Sequence, residues 1–198
     1  MTFCNLRNTF KRLRNTLVIS VLGIMPSLSS AELLDFYVNN STVYGQFLGH
    51  SFERPELSFF AGILHDEDEN QMLELGFFLT EPIEDERNYR PWAKIGMKAL
   101  GFETENDNEG GALAPGGILS FYIPGIPRLY LDTSAFFAPR VLSFGDAEDY
   151  FEVSVRLTYQ IMTAADLYFG YRNIDVSLDR VKDVRLDDAF HVGTTFRF

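Results

Sequence analysis

The last ten residues constrain the fold of this chain more than any other stretch. They read AFHVGTTFRF, alternate apolar with polar positions, and end the chain on phenylalanine. Successive side chains of a β-strand point to opposite faces, so this segment has one apolar and one polar face. The apolar face carries Phe190, Val192, Phe196 and Phe198. This pattern predicts the closing strand of a membrane-spanning β-barrel.

The N-terminal segment has the composition of an export signal. Four basic residues precede an uncharged apolar run over residues 17–25, and small residues follow it. Nine residues are too few to span a bilayer of about 30 Å as a helix. We therefore predict a signal peptide over residues 1–31 and a single barrel domain over residues 32–198.

Cleavage after Ala31 changes what chemistry is available to the chain. It would remove Cys4, the only cysteine, and with it any disulfide or thiolate ligand. It would also remove four of the 17 basic residues and none of the 28 acidic ones, which moves the net charge from −11 to −15. Phosphate backbones bind to basic surfaces, so nucleic acid is excluded as a partner. We expect no cofactor and no specific metal site.

Period-two alternation recurs along the rest of the chain at strand-like lengths. The clearest example is residues 151–160, where five apolar positions alternate with five polar ones. No later run approaches the roughly 18 apolar residues of a transmembrane helix, so a spanning chain must be a closed sheet. Ten strands are predicted, near residues 33–38, 42–48, 56–64, 71–80, 91–102, 113–123, 128–137, 149–160, 166–176 and 189–198.

Ten strands of this kind predict an all-β, antiparallel, up-and-down transmembrane barrel with both termini at one end. Long outer loops should then alternate with short turns. The predicted outer loops are residues 39–41, 65–70, 103–111, 138–148 and 177–188. Tight turns are predicted at residues 124–127 and 163–165, whereas the connection over residues 81–90 is long for a turn. Eight strands, or a soluble sandwich, remain alternatives.

The chain resembles the YfaZ-like outer-membrane proteins over most of its mature length, and the resemblance is densest in several stretches of the C-terminal half. They are residues 138–147, 167–174 (LYFGYRNI), 186–188 (LDD), 191–193 (HVG) and 196–198 (FRF). The resemblance implies export by the signal peptide and a barrel in the outer membrane of a Gram-negative type of cell. Its surroundings would be outer-membrane lipid and lipopolysaccharide, and the barrel-assembly machinery would be its partner during insertion. The resemblance implies no activity and no catalytic residues.

Charged side chains collect on the face of each strand that is assigned to the barrel interior. A Lys or Arg facing lipid at the bilayer midplane costs about 2 to 4 kcal/mol, which supports this assignment. The predicted lumen-facing set contains five acids, five bases and one histidine. Its members are Asp35, Glu56, Glu74, Asp132, Glu152, Lys94, Lys98, Arg156, Arg172, Arg197 and His191.

Balanced interior charge allows two interpretations of function. In a narrow barrel opposite charges meet across the lumen and fill it, whereas in a wider one they line water. Inward aromatic residues favour a filled lumen, and we therefore expect a non-enzymatic envelope protein with a structural or surface role. A small porin-like channel for solutes or ions is the first alternative. An enzyme acting on lipids through His191 with Ser154 or Glu152 is the second.

Overall fold

The fold is known from a computed structural model that describes residues 31–51, 53–82, 91–105, 108–178 and 184–198. Except for Ala31, the predicted signal peptide lies outside these residues, and so does most of the connection over residues 81–90. The strands are β1 (Ala31–Val38), β2 (Thr42–His50), β3 (Leu57–Asp66), β4 (Gln71–Pro82), β5 (Trp92–Glu103), β6 (Glu109–Tyr122), β7 (Leu129–Ala138), β8 (Ser143–Gly145), β9 (Ala147–Met162), β10 (Ala165–Leu178) and β11 (Val184–Arg197).

Ten of these strands form a closed antiparallel barrel. Each pairs with its neighbours along the chain, β7 pairs directly with β9, and β1 pairs with β11 to close the sheet. The closing seam runs from Leu33 opposite Arg197 to Val38 opposite Val192. The short β8 pairs only with β6, at residues 110–112, where β7 no longer accompanies that strand. The predicted ten-stranded barrel is therefore confirmed.

Several strands continue beyond the limits that alternation predicts. The largest difference is β11, which begins at Val184 and not at residue 189. Its register against β10 shifts between Ile174 and Asp175, as at a β-bulge. Two successive side chains, Leu186 and Asp187, are consequently both buried. A bulge interrupts the alternation with a period of two. For this reason the sequence pattern predicts a loop, and not a strand, over residues 184–188.

The two ends of the barrel differ in their connections. The turn end is the end at which β1 begins and β11 finishes, and the loop end is the opposite one. At the turn end, β9 and β10 are joined by residues 163–164 alone, while the β6–β7 turn contains Gly125 and Arg128 with positive φ angles. At the loop end, the connections at 39–41 and 67–70 are no longer than the β6–β7 turn. The expected contrast between long loops and short turns is wrong there: residues 39–41 are only three, as predicted, and β3 extends to Asp66 within the loop predicted over residues 65–70.

The outer surface of the barrel is apolar. Large hydrophobic side chains on it include Phe59, Ile63, Leu75, Phe77, Ile95, Leu157 and Phe169, all exposed. The terminal-strand residues Phe190, Val192, Phe196 and Phe198 are exposed on the same surface. An apolar outside around a polar inside is the arrangement of a membrane-spanning barrel. In the residues that the structure describes, no helix is long and apolar enough to cross a bilayer.

Interior aromatic rings lie against the barrel wall over glycines of neighbouring strands. A β-carbon added at Gly76 would lie 2.6 Å from the ring of Phe60, and Gly96 and Gly116 are covered in the same way by Phe78 and Phe136. The absence of a side chain at each glycine lets a large ring approach the backbone. The rings are thereby held at the wall, and the axis of the lumen stays open at this level.

Gly76→Ala should destabilise the barrel by about 1 to 3 kcal/mol, because the methyl group would overlap Phe60 and the main-chain oxygen of Met97. The matched control is Gly101→Ala on the outer face of β5, where the nearest atom would lie 3.9 Å away. That variant should be neutral or slightly stabilising, because alanine restricts the unfolded chain more than glycine does. Urea unfolding of both proteins in lipid vesicles measures the difference, and equal midpoints would contradict the prediction.

Candidate functional site

The loop end of the lumen is filled by hydrophobic side chains, which together form the apolar plug. Its members are Leu64, Met72, Leu100, Phe102, Ile174, Val176 and Leu186. Leu64, Ile174 and Val176 have no exposed surface at all. They occupy inward positions near the loop end of β3, β4, β5, β10 and β11. These side chains belong to one cluster of buried residues at the loop end.

An ionic cluster of Glu74, Lys98, Glu152 and Arg172 lies next to the apolar plug. The Lys98 ammonium lies 3.0 Å from Glu74 and also bonds Glu152. The Arg172 guanidinium lies 3.0 Å from Glu152 and 3.5 Å from Glu74. Two carboxylates therefore face two cations, and the cluster is neutral. All four side chains are almost fully buried.

Tyrosine hydroxyls complete the coordination of the ionic cluster. Tyr44 donates a hydrogen bond to Glu74, and Tyr150 donates one to Glu152. Arg172 donates to the Tyr37 hydroxyl at 3.1 Å, and Tyr37 donates in turn to Asp187 at 2.7 Å. Buried charges are tolerated when ion pairs and hydrogen bonds satisfy them, and this network provides both. Asp187 continues the inward alternation of Ala189 and His191 on β11, and this places it within reach of Tyr37.

A second charged group surrounds Arg156, nearer the turn end. Its guanidinium bonds Asp35 at 2.8 Å and Asp132 at 3.1 Å. Tyr168 and Thr195 donate further hydrogen bonds to Asp35. Ser120 and Thr158 donate to Asp132 in the same way. The Arg156 side chain is 33% exposed, compared with 3% for Lys98, so water reaches this level of the lumen.

The turn end of the lumen is partly open. Arg197 on β11 forms an ion pair with Asp166, which also accepts a hydrogen bond from Tyr130 at 2.6 Å. Lys94 faces inward and is half-buried. Within the described ranges it forms no salt bridge or hydrogen bond. Side chains therefore fill the lumen less completely at this end than at the loop end.

A cavity of about 100 Å³ lies in the lumen between the ionic cluster and the turn end. Charged residues of both groups line it, together with Gln46, Ser134, Ser154 and His191. Phe60, Phe78, Ile118 and Phe136 also line it. Gln46, Ile118 and Ser154 are half-buried where they line the cavity.

A family model described as "YfaZ precursor" matches residues 13–198. The chain belongs to the YfaZ family. A search of curated proteins found no match. Membership agrees with the resemblance predicted from the C-terminal half, and it extends that resemblance over nearly the whole chain.

Three of the solved structures similar to this YfaZ-family chain are described as an outer membrane secretin, a porin and an outer membrane channel. A bacterial polysaccharide outer membrane secretin has a TM-score of 0.46 and 12% identity, covering 84% of this chain and 69% of the other. The KdgM porin, solved in complex with disordered oligogalacturonate, has a TM-score of 0.46 and 9% identity, covering 85% and 99%. The outer membrane channel DcaP of Acinetobacter baumannii has a TM-score of 0.39 and 10% identity, covering 83% and 54%.

Ten of the eleven predicted lumen-facing residues lie on the inner face of this YfaZ-family barrel. The exception is Glu56, which the structure places in the turn before β3 with its side chain exposed. Pro55 and Glu56 belong to this turn, so the alternation of β3 begins only at Leu57. Three buried acids, Asp66, Asp166 and Asp187, are additional to the predicted set. Asp166 and Asp187 continue the inward alternation of β10 and β11, so the pattern could have found them, whereas Asp66 and Asp187 fell within predicted outer loops.

The geometry around His191 bears on the enzyme alternative. Its ring stacks on Tyr37, with centroids 4.2 Å apart, and meets Tyr168 edge to face. Ser154 is bonded to Ser134 at 2.7 Å, and Glu152 is held by the ionic cluster. No hydrogen bond joins His191 to Ser154 or Glu152 in the described residues. Over the same ranges, no group of three or more His, Cys, Asp or Glu is placed to hold a metal ion.

Proposed function

We propose that this chain is an integral outer-membrane barrel with a closed lumen, a structural or surface role in the cell envelope, and no enzymatic activity. The observation that carries the proposal is the apolar plug. Its side chains leave no exposed surface at Leu64, Ile174 or Val176. An open channel needs a continuous polar or hydrated path from one end to the other.

The interior charges also support a closed barrel. Each carboxylate of the ionic cluster already lies within hydrogen-bond distance of a cation. An ion passing this level would have to break these pairs in a poorly hydrated region, which is energetically costly. The cluster and the apolar plug therefore form two successive barriers at the loop end.

The proposed location rests on the surface of the barrel and on the family. The apolar outer surface requires lipid around it, and a closed sheet is the way for strands to span a bilayer. A precursor family agrees with export by a signal peptide. We therefore propose outer-membrane lipid and lipopolysaccharide as its surroundings and the barrel-assembly machinery as its partner during insertion.

Conductance in a planar bilayer tests the proposal against the porin alternative. The refolded protein should produce no channel steps, because the plug interrupts the water path. A variant in which both barriers are weakened should conduct; it combines Leu64→Ala, Met72→Ala and Ile174→Ala in the plug with Glu74→Ala and Lys98→Ala in the ionic cluster. Heat-modifiable migration on gels verifies folding of both proteins. Regular steps from the folded parent, similar to those of the variant, would contradict a closed lumen.

A further inference from the structure

The seam that closes the barrel is the shortest ladder in its wall. β1 and β11 pair over six residues of each strand, from Leu33 opposite Arg197 to Val38 opposite Val192. By contrast, β10 pairs with β9 along all fourteen of its residues. Among the described residues, every other pair of neighbouring barrel strands is joined over seven residues or more. A short ladder has few backbone hydrogen bonds, so this seam is the part of the wall that opens most easily.

One carboxylate on β1 fastens the seam from inside the lumen. Asp35 lies directly opposite Thr195, which donates a hydrogen bond to it at 3.0 Å. Tyr168 on β10 donates a second hydrogen bond, and the Arg156 guanidinium on β9 donates a third at 2.8 Å. Asp35 itself is 3% exposed. The first strand is therefore held by one side chain from each of the last three strands.

Two inward glycines let these donors reach across the wall. Tyr168 must pass over β11 to reach β1, and its ring lies over Gly193, where an added β-carbon would overlap it. Arg156 must pass over both β10 and β11. It lies opposite Gly170, where an added β-carbon would be 2.8 Å from the β-carbon of Arg156. A side chain at either glycine would block the approach to Asp35.

The loop-end half of the seam has a separate fastening. Tyr37 donates a hydrogen bond to Asp187 on β11 at 2.7 Å, and the Asn39 amide donates another at 3.0 Å. Over residues 33–36, nearer the turn end, Asp35 is the one polar residue of β1. The turn-end half of the seam therefore depends on Asp35 for its side-chain hydrogen bonds.

We propose that Asp35 is a latch on the β1–β11 seam. While its three hydrogen bonds are made, the turn-end half of the seam stays shut. When they are lost, this half opens before any other part of the wall. Opening removes all three donors from Asp35, whereas Arg156 keeps its second partner, Asp132. The latch is a property of the wall and does not depend on whether the lumen conducts.

Amide hydrogen exchange of the refolded protein in lipid nanodiscs, measured by mass spectrometry, tests the latch. Asp35→Asn keeps the shape of the side chain and removes its charge. It should speed amide exchange over residues 33–36 about ten- to a hundredfold, as expected for weakened hydrogen bonds to a charged group. Tyr168→Phe removes one donor and leaves the carboxylate in place. It should speed exchange over the same residues about two- to tenfold.

The matched control is Asp132→Asn. Asp132 accepts hydrogen bonds from the same Arg156 and from Ser120 and Thr158, but these three lie on the strands that flank its own. The control should speed exchange where β7 pairs with β6 and β9, and leave residues 33–36 as in the parent.

Two results would overturn the proposal: no change over residues 33–36 in the folded latch variants, or an equal rise there in Asp132→Asn. Heat-modifiable migration confirms folding of each protein. If Asp35→Asn does not fold, Tyr168→Phe decides the question by the same measurement. Because exchange over these residues reports on the wall, failure here is distinct from any outcome of the conductance experiment.

Discussion

Glu152→Ala should lower the free energy of unfolding by about 3 to 5 kcal/mol, because it removes one partner of a buried ion-pair network. The Glu152 side chain is 5% exposed and bonds both Lys98 and Arg172. Its loss leaves two cations facing the single remaining carboxylate of the ionic cluster. Urea unfolding in lipid vesicles, followed by tryptophan fluorescence, measures the change.

The same strand supplies the matched control. Glu148 pairs with Arg140 at 2.8 Å at the loop end, where the two side chains are 32% and 74% exposed. Glu148→Ala should lower the free energy of unfolding by less than about 1 kcal/mol, as is usual for exposed ion pairs.

A further comparison separates the effect of charge imbalance from the effect of lost packing. The double variant Glu152→Met, Arg172→Met should be more stable than Glu152→Met alone, because it restores neutrality. Equal losses for Glu148→Ala and Glu152→Ala would contradict the prediction.

Leu157→Arg should destabilise the inserted barrel by about 2 to 4 kcal/mol, the cost of an arginine facing lipid near the midplane. Leu157 is exposed on the outer face of β9 and lies between Leu131 on β7 and Phe169 on β10. Its environment in the membrane is therefore apolar on both sides. The expected result is a lower yield of heat-modifiable barrel and an earlier unfolding midpoint in vesicles.

Ile161→Arg is the control for the effect of depth. Ile161 is exposed on the same face of β9, four residues nearer the turn end and one residue before the strand ends. An arginine there lies close to the bilayer surface and should cost only about 0 to 1 kcal/mol. Similar effects at both positions would indicate that this face does not lie against a bilayer of ordinary thickness.

The barrel was predictable from the sequence because lipid on one side and polar contacts on the other impose strict alternation. This holds for residues 151–160 and for the closing strand, and it also placed Glu74, Lys98, Glu152 and Arg172 on one face. Alternation fails where both faces are apolar. Leu64 and Met72 lie inward near the loop end, next to outward Ile63 and Leu73. Ile174 lies inward between polar Asn173 and Asp175, where the usual apolar-out pattern is reversed. The apolar plug could therefore not be read from the pattern.

Two further features depend on tertiary structure. The bulge in β11 buries two successive residues, and alternation assigned that segment to a loop. The cavity depends on rings of one strand lying over glycines of the next, such as Phe60 over Gly76. Register between strands determines which ring meets which glycine, and register is not visible in single strands. Glu56 was assigned to the lumen because a turn residue happened to continue the alternation of β3.

The arrangement of the ionic cluster has a consequence for the order of assembly. Glu74 and Lys98 lie on the adjacent strands β4 and β5, whereas Glu152 and Arg172 lie on the adjacent strands β9 and β10. Each half of the chain therefore carries its own neutral pair before the two halves meet. We expect each half of the sheet to carry the charges of the ionic cluster into the bilayer as a neutral pair. The contacts between the two pairs form when the first and last strands join.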